Sequence, residues 1–422
     1  MRISLEVRAV PRSLRTDMTT REQTTTLSTS PSSSCPLCAS LDVDPCVDRG
    51  SVPVFQNARY RDPDSARAAA RGRLRLAVCR RCGFSFNAGF DPDLARYDVT
   101  YENDQTMSAH FVAHVASVAR RALALVSDVP NPTVLEVGCG QGAFLRQLQA
   151  TSGGRIGRAL GFDPSLRAPV TEATLRLDAR VFDESAARDL KGAADLAILR
   201  HVIEHIHRPV DLLASLRTAL APGGGKILVE TPCFEWILGH HAWHDIFYEH
   251  CNYSTADTLA RLMRRAGFAN VSVERVFGGQ YLLASADTGE DQGRDALPRS
   301  DGVDVAARAA AFGRTFDAYA AHWRARLAGP APLAIWGAGA KGVTFASIIQ
   351  DAAPLRGLID IDPKKQGTYA ALTGLPILSP ARAVEQGVQR VVVMNPNYAD
   401  EVDATVASLG GHLEIIVMDR NA

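Results

Sequence analysis

The sequence predicts an α/β protein: a doubly wound, mostly parallel sheet, preceded by a small cysteine-paired module and followed by a second, smaller α/β unit. Three observations carry that expectation. Four cysteines fall in two pairs, Cys35-Pro-Leu-Cys38 and Cys79-Arg-Arg-Cys82. From Thr133 onward apolar strand runs alternate with helical stretches, the pattern of an open sheet with helices on both faces. Two glycine-rich strand-to-helix turns, one ending at Gly142 and one at Gly342, mark two separate units.

Each CxxC pair presents two thiolates from one turn, and two pairs close a tetrahedral Zn²⁺ site with Zn–S bonds of about 2.3 Å. Sulfur fills all four positions, so no place remains for a water, and zinc held by Cys35, Cys38, Cys79 and Cys82 is expected to be structural. The gap of about 40 residues exceeds the usual double-CxxC spacing. Strands are therefore expected between the pairs, at 52–55 and 74–78. Cys46, Cys139, Cys233 and Cys251 show no pairing logic, which fits reduced thiols in a cytoplasm.

A chain of 422 residues implies two to four domains at about 100–200 residues each. Lys plus Arg and Asp plus Glu both total 46, which excludes the global basic field that recruits nucleic acid or an anionic membrane. A small soluble partner is expected instead, and the oligomeric state stays open between monomer and dimer. No run of about 18 apolar residues is present to span a bilayer. Residues 1–34 are rich in Ser, Thr and Arg and lack the apolar region of a secretory signal. They are expected to form a disordered leader on a cytoplasmic protein. The expected divisions are the cysteine module at 35–106, the main sheet at 107–290 and the second unit at 291–422.

In order, residues 107–126 carry Phe111, Val115, Val118, Leu123 and Val126 at helical spacing, and Pro130-Asn-Pro132 ends that helix. Strands are expected at 134–137, 159–162, 196–199, 226–230, 271–276 and 281–284. A polar, Gly- and Pro-containing stretch at 287–301 reads as a linker. A helix at 305–327 and strands at 333–336, 358–361 and 391–394 build the last unit.

In Val134-Leu-Glu-Val-Gly-Cys-Gly-Gln-Gly142, Gly138, Gly140 and Gly142 let the backbone turn where a bulkier residue would collide with a ligand. Asp163 ends the next strand, where a carboxylate accepts hydrogen bonds from ribose hydroxyls. With Glu136, the strand ending at His201 and Ala221-Pro-Gly-Gly-Gly225, the chain resembles a class I S-adenosylmethionine-dependent methyltransferase with a Rossmann-like sheet. Glu136, Gly138, Gly140, Gly142 and Asp163 are the cofactor-binding candidates.

Further motifs occur in order: Tyr101-Glu-Asn-Asp-Gln105, His201-Val-Ile-Glu-His205, Phe247-Tyr-Glu-His-Cys-Asn-Tyr253 and Trp336-Gly-Ala-Gly-Ala-Lys-Gly342. With the CxxC pairs they are similar to those of the sugar C-methyltransferases that act on nucleoside-diphosphate 4-keto deoxyhexoses. The resemblance runs from about Cys35 to the C-terminus. It implies a zinc-binding domain, a central S-adenosylmethionine domain, a C-terminal domain that helps bind the sugar nucleotide, and methylation at C3.

Such a reaction needs a base with a pKa near working pH, for which histidine is the default, and donors for a developing enolate oxygen. His250 is the expected base and Glu249 its partner. Tyr101 is the expected substrate contact or oxyanion donor, and His201 faces the methyl group. The family motif carries an aromatic hydroxyl upstream of the Glu-His pair; here Phe247 stands beside Tyr248, and Tyr248 is taken as the donor.

The turn Gly337-Ala-Gly-Ala-Lys-Gly342, with Asp360 and Asp362 about twenty residues on, fits a dinucleotide fingerprint. By itself it also suits an NAD-linked oxidoreductase. Given the resemblance, Gly337, Gly339, Lys341 and Gly342 are expected to hold the diphosphate of the nucleotide sugar, with Asn395 and Tyr398 as further contacts. Competing functions are a methyltransferase acting on a hydroxyl or a non-sugar carbon acid, that oxidoreductase, and a zinc-knuckle binding protein.

Overall fold

A computed structural model describes residues 34–97, 108–290, 302–350 and 354–418. The leader expected at 1–34, except Ser34, most of the linker and Tyr101 lie outside the described residues. Three sheets organise the rest.

In the first, β1 (Val43–Pro53) pairs antiparallel with β2 (Arg71–Cys79), from Val43 opposite Cys79 to Pro53 opposite Arg71. The strand expected at 52–55 thus begins earlier and stops at Pro53. β3 (Ser85–Asn87) follows, and β10 (Asn252–Tyr253) completes the sheet by pairing with β3. That last pairing is long-range. It fixes the segment just after His250 against the cysteine module.

The second sheet holds β4 (Thr133–Val137), β5 (Arg158–Phe162), β6 (Val170–Thr171), β7 (Leu175–Asp178), β8 (Leu196–Arg200), β9 (Lys226–Pro232), β11 (Ala269–Val276) and β12 (Tyr281–Asp287). Their order is β11-β12-β9-β8-β4-β5-β7-β6. β4 lies parallel to both β5 and β8, so the chain reverses direction across the sheet there. Such a switch point opens a crevice at the carboxyl ends of the strands. It sets the turn after β4 beside His201, which follows β8. The helix Ala109–Leu125 buries Phe111, Val115, Val118 and Ala122 under an N-cap from Ser108.

The third sheet is all parallel: β13 (Leu333–Trp336), β14 (Leu355–Ile359), β15 (Ile377–Leu378), β16 (Arg390–Val393) and β17 (Glu414–Val417), in the order β15-β14-β13-β16-β17. Its switch point falls at β13, where the second glycine-rich turn begins.

The helix expected at 305–327 is two helices, Gly302–Gly313 and Phe316–Leu327. The break has a packing cause. Thr315 accepts a hydrogen bond from Trp243 Nε1 at 3.1 Å, and a Cβ on Gly313 would lie 1.9 Å from the Cys46 carbonyl oxygen. The first helix is thereby held close against β1. One apolar core joins Leu74 and Leu76 of β2, Trp243, Phe312, Trp323 and Ile335. The cysteine module, the centre and the C-terminal unit therefore share a core, and Ser33–Ala422 form one compact unit.

Candidate active site

At the turn after β4, Gly138, Gly140 and Gly142 all have positive φ (77°, 54° and 82°). A Cβ on Gly138 would lie 2.1 Å from Val202 Cγ2, and one on Gly142 would lie 2.6 Å from Leu177 Cδ1; at Gly140 nothing lies within 4 Å. Gly140 therefore borders open space while its neighbours are needed for packing. Asp163 shapes this turn: its Oδ2 accepts from Gly140 N at 2.7 Å, and its Oδ1 from Ser165 N and Oγ at 2.7 and 2.6 Å. Asp163 was expected to offer its carboxyl to ribose hydroxyls; in the structure backbone and Ser165 donors occupy it. Glu136 is buried with Oε2 unpartnered. Burial pushes its pKa up to about 8 against the pull of Arg200. The open cradle and the orphaned acid fit a ligand that brings its own hydrogen-bond donors.

At the end of β8, His201 sits in the left-handed region (φ 53°), a strained conformation of the sort concentrated at functional sites. Its ring lies between two carboxyls, Nδ1 at 3.5 Å from Glu204 Oε1 and Nε2 at 3.7 Å from Glu230 Oε2, with Tyr281 edge-on at 4.6 Å. Glu230 is fully buried and also receives Arg200 Nε at 2.8 Å and His114 Nε2. Burial alone would raise its pKa; Arg200, His114 and His201 hold it down at about 2.

The loop before β10 carries the Glu-His pair. Glu249 is buried and accepts from Gln56 N at 2.6 Å, and its carbonyl lies 3.0 Å from His205 Nδ1. His250 packs on Phe247 at 4.0 Å and edge-on to His205 at 4.8 Å. Its buried Nδ1 has no hydrogen-bond partner. Burial, then the nearby His205, His201 and Lys341, push the His250 pKa well below the usual imidazole range, so the ring is neutral at pH 7. A neutral imidazole with a bare nitrogen can accept a proton, although the lowered pKa makes it a weaker base than a free imidazole.

Tyr248 points elsewhere. Its hydroxyl accepts from Asp91 N at 2.7 Å and its ring fills the space over Gly72, where a Cβ would lie 2.2 Å away. The structure does not bring it to the histidines, because the loop projects its side chain to the other face.

One cavity of about 280 Å³ is lined by His201, Glu204, His205, Glu249, His250 and Tyr281 on one side and by Gly337, Gly339, Lys341, Gly342, Asn395 and Tyr398 on the other. At the second glycine-rich turn, Gly337 has φ 105° with nothing within 4 Å of a Cβ, whereas a Cβ on Gly342 would strike the Gly337 carbonyl oxygen at 1.9 Å. Gly342 is thus a packing glycine. Lys341 Nζ is held by Asp245 Oδ2 at 3.0 Å and Gln280 Oε1 at 3.2 Å. Gln280 also exchanges two hydrogen bonds with Asn395. Asp360 Oδ2 accepts from Ala338 N at 2.9 Å; Asp362, also buried, accepts from Lys364 N at 2.9 Å through Oδ1 but keeps Oδ2 unpartnered.

Two family models match the chain: "Methyltransferase domain" over residues 109–273, and "C-methyltransferase C-terminal domain" over residues 318–416. The chain is a methyltransferase that carries a C-methyltransferase C-terminal domain. No curated protein matches it. Among solved structures it is similar to human N-acetylserotonin methyltransferase in complex with SAM (20% identity, 43% of this chain and 55% of that one, TM-score 0.34). It is also similar to the CurJ carbon methyltransferase (15%, 44% and 56%, 0.33). A third is a putative S-adenosylmethionine-dependent methyltransferase from Listeria monocytogenes (14%, 42% and 100%, 0.33). The second glycine-rich turn lies inside the segment matched as C-methyltransferase, so the oxidoreductase reading loses its ground.

In this methyltransferase the four cysteines converge: Cys35 and Cys82 Sγ lie 3.6 Å apart, as do Cys38 and Cys79, and all four sulfurs fall within 4.8 Å. Those gaps exceed a disulfide's about 2.05 Å and approach the about 3.8 Å between sulfurs on a tetrahedral zinc. The quartet fits zinc. Sequence reasoning gave no role to Glu204, Glu230, Tyr281, Gln280 or Asp245, and named His205 only as the end of a motif. The available signal for Glu204 and His205 was their spacing from His201, three and four residues on. Gln280 and Asp245 carry no motif; only the tertiary fold brings them to Lys341. Among the described residues no helix is long and apolar enough to cross a membrane.

Proposed function

We propose that this C-methyltransferase methylates C3 of a nucleoside-diphosphate 4-keto-deoxysugar through an enolate generated by His250. The observation that carries the proposal is the shared cavity, where His250, with its unpartnered Nδ1, opens onto the same space as the Gly337–Lys341 turn.

His250 takes the proton from the carbon beside the ketone. The loop holds its neighbour Glu249 on Gln56 N, so the ring has a fixed approach. Tyr281 stays protonated, because burial raises its pKa well above the usual phenol value, and with His201 it supplies donors for the enolate oxygen in a water-poor site. When bound over Gly138, Gly140 and Gly142, S-adenosylmethionine supplies an electrophilic methyl. Holding enolate and methyl in line makes further chemical groups unnecessary.

The sugar's diphosphate is received at the N-terminus of the helix Ala340–Ile349, where backbone N–H groups face an anion. Asp362 Oδ2 then serves a ribose hydroxyl, and Asn395 and Tyr398 line the far wall. Cys35, Cys38, Cys79 and Cys82 hold a structural zinc that fixes the module on which β10 docks. The test is incubation of the protein with methyl-¹³C S-adenosylmethionine and a panel of 4-keto-6-deoxyhexose nucleotides. A new ¹³C methyl resonance coupled to sugar carbon supports the reading, and an O-methyl resonance sinks it.

A further inference from the structure

Beyond the cysteine quartet, the molecule holds a second cluster with ligand spacing. Glu204, His205 and His250 each offer one donor atom, all within 4.8 Å of one another. Two of these residues carry a bare atom: Glu204 Oε1 and His250 Nδ1 are buried and make no hydrogen bond, although His201 Nδ1 stands 3.5 Å from the former. The third is prepared by its surroundings. His205 Nδ1 faces the Glu249 carbonyl oxygen at 3.0 Å and the Tyr97 hydroxyl at 2.7 Å. A carbonyl can only accept, so Nδ1 carries the proton and Nε2 keeps its lone pair. A histidine whose far nitrogen donates to a backbone carbonyl is the usual arrangement behind a metal-bound imidazole. Glu204 is held in turn by Thr231 Oγ1 at 3.0 Å.

We infer that Glu204, His205 and His250 bind a divalent transition cation in the substrate cavity, and that its binding reversibly blocks turnover. Two imidazoles and one carboxylate suit a borderline ion such as Zn²⁺, Co²⁺, Ni²⁺ or Fe²⁺ and leave coordination positions open toward the cavity. Bringing the donors onto one ion at about 2.0–2.2 Å needs side-chain shifts on the order of 1 Å. The block follows because a lone pair on the metal cannot take a proton. This consequence rests on His250 as the base; the binding does not.

The experiment adds Co²⁺ to the full chain as purified, with its zinc content measured before and after. A nitrogen- and oxygen-ligated cobalt gives visible ligand-field bands without thiolate charge transfer. One further cobalt per chain is expected, with affinity at least tenfold weaker in Glu204→Gln and in His205→Ala, and methyl transfer falling in step with occupancy until a chelator restores it. Retained zinc content in both variants certifies their fold. Absence of the bands in the wild type, bands with thiolate character, or unchanged affinity in both variants overturns the site. Full occupancy with undiminished turnover overturns the block. Turnover surviving in His250→Ala refutes the base assignment whatever cobalt does, so the two failures are distinguishable.

Discussion

His205 Nδ1 lies 3.0 Å from the carbonyl oxygen of Glu249, and this contact ties the turn after β8 to the loop that presents His250. The carbonyl belongs to the residue just before His250, so rotating that peptide would swing the imidazole away from its present direction.

Replacing His205 by Leu is therefore expected to lower kcat by about 10- to 100-fold, since a displacement of about 1 Å in reacting groups costs on that order. The Kd for S-adenosylmethionine should change less than about threefold, because the glycine turn is untouched. Steady-state kinetics beside calorimetry checks the split; equal losses in both would refute it.

Tyr248→Phe is expected to be a stability variant. The hydroxyl's contacts with Asp91 backbone N and O at 2.7 and 3.3 Å are worth about 1 kcal/mol, so the unfolding midpoint should fall while kcat holds within about twofold. A large drop in kcat with unchanged stability would restore the catalytic role that the motif suggests.

Gly140→Ala and Gly138→Ala should behave differently. Both positions have positive φ, which costs an alanine about 1–2 kcal/mol, but only at Gly138 would the methyl meet Val202 at 2.1 Å. Gly140→Ala should stay folded and bind S-adenosylmethionine at least tenfold more weakly; Gly138→Ala should lose stability first. Thermal melts and calorimetry on both variants decide it.

His244 gives a pH-linked prediction. Burial above all, with Lys341 adding to it and Asp245 opposing, lowers its pKa from 6.5 to about 4. The unfolded chain therefore takes up a proton below pH 6.5 that the native state refuses. Stability contributed at this position is intact above pH 6.5 and declines as pH falls toward 4, by up to about 3 kcal/mol. Denaturant unfolding at pH 7 and pH 5 should show a smaller loss for His244→Gln than for the wild type. Equal losses would count against the assignment.

The legible parts of the sequence were those governed by local rules. Strand periodicity placed β4, β5, β8 and β9 within a residue or two, and the glycine turns marked both switch points. Short strands such as β6, β10 and β15 span two residues each, too few to show a period; β10 matters most, because it anchors the loop that carries Glu249 and His250. Within the site, residue type pointed to His250 and Glu249, but direction was hidden. Tyr248 and Glu249 are neighbours in sequence and face opposite sides of the loop. Lys341 reads as an unshared charge in sequence, yet Asp245 and Gln280 reach it from distant segments. Only the folded chain shows that Asp360 is engaged through both carboxylate oxygens while Asp362 keeps Oδ2 unpartnered.

The central claim is proton abstraction by His250 ahead of methyl transfer to carbon. Its most direct test follows hydrogen exchange at C3 of a 4-keto-6-deoxyhexose nucleotide in D₂O by NMR, with S-adenosylhomocysteine in place of the methyl donor. The account predicts wild-type-catalysed washout of that proton, lost by at least about 100-fold in His250→Ala, within the range attributed to a positioned base. Undiminished exchange in the variant, or methylation by the wild type without exchange-competent proton removal, would contradict it.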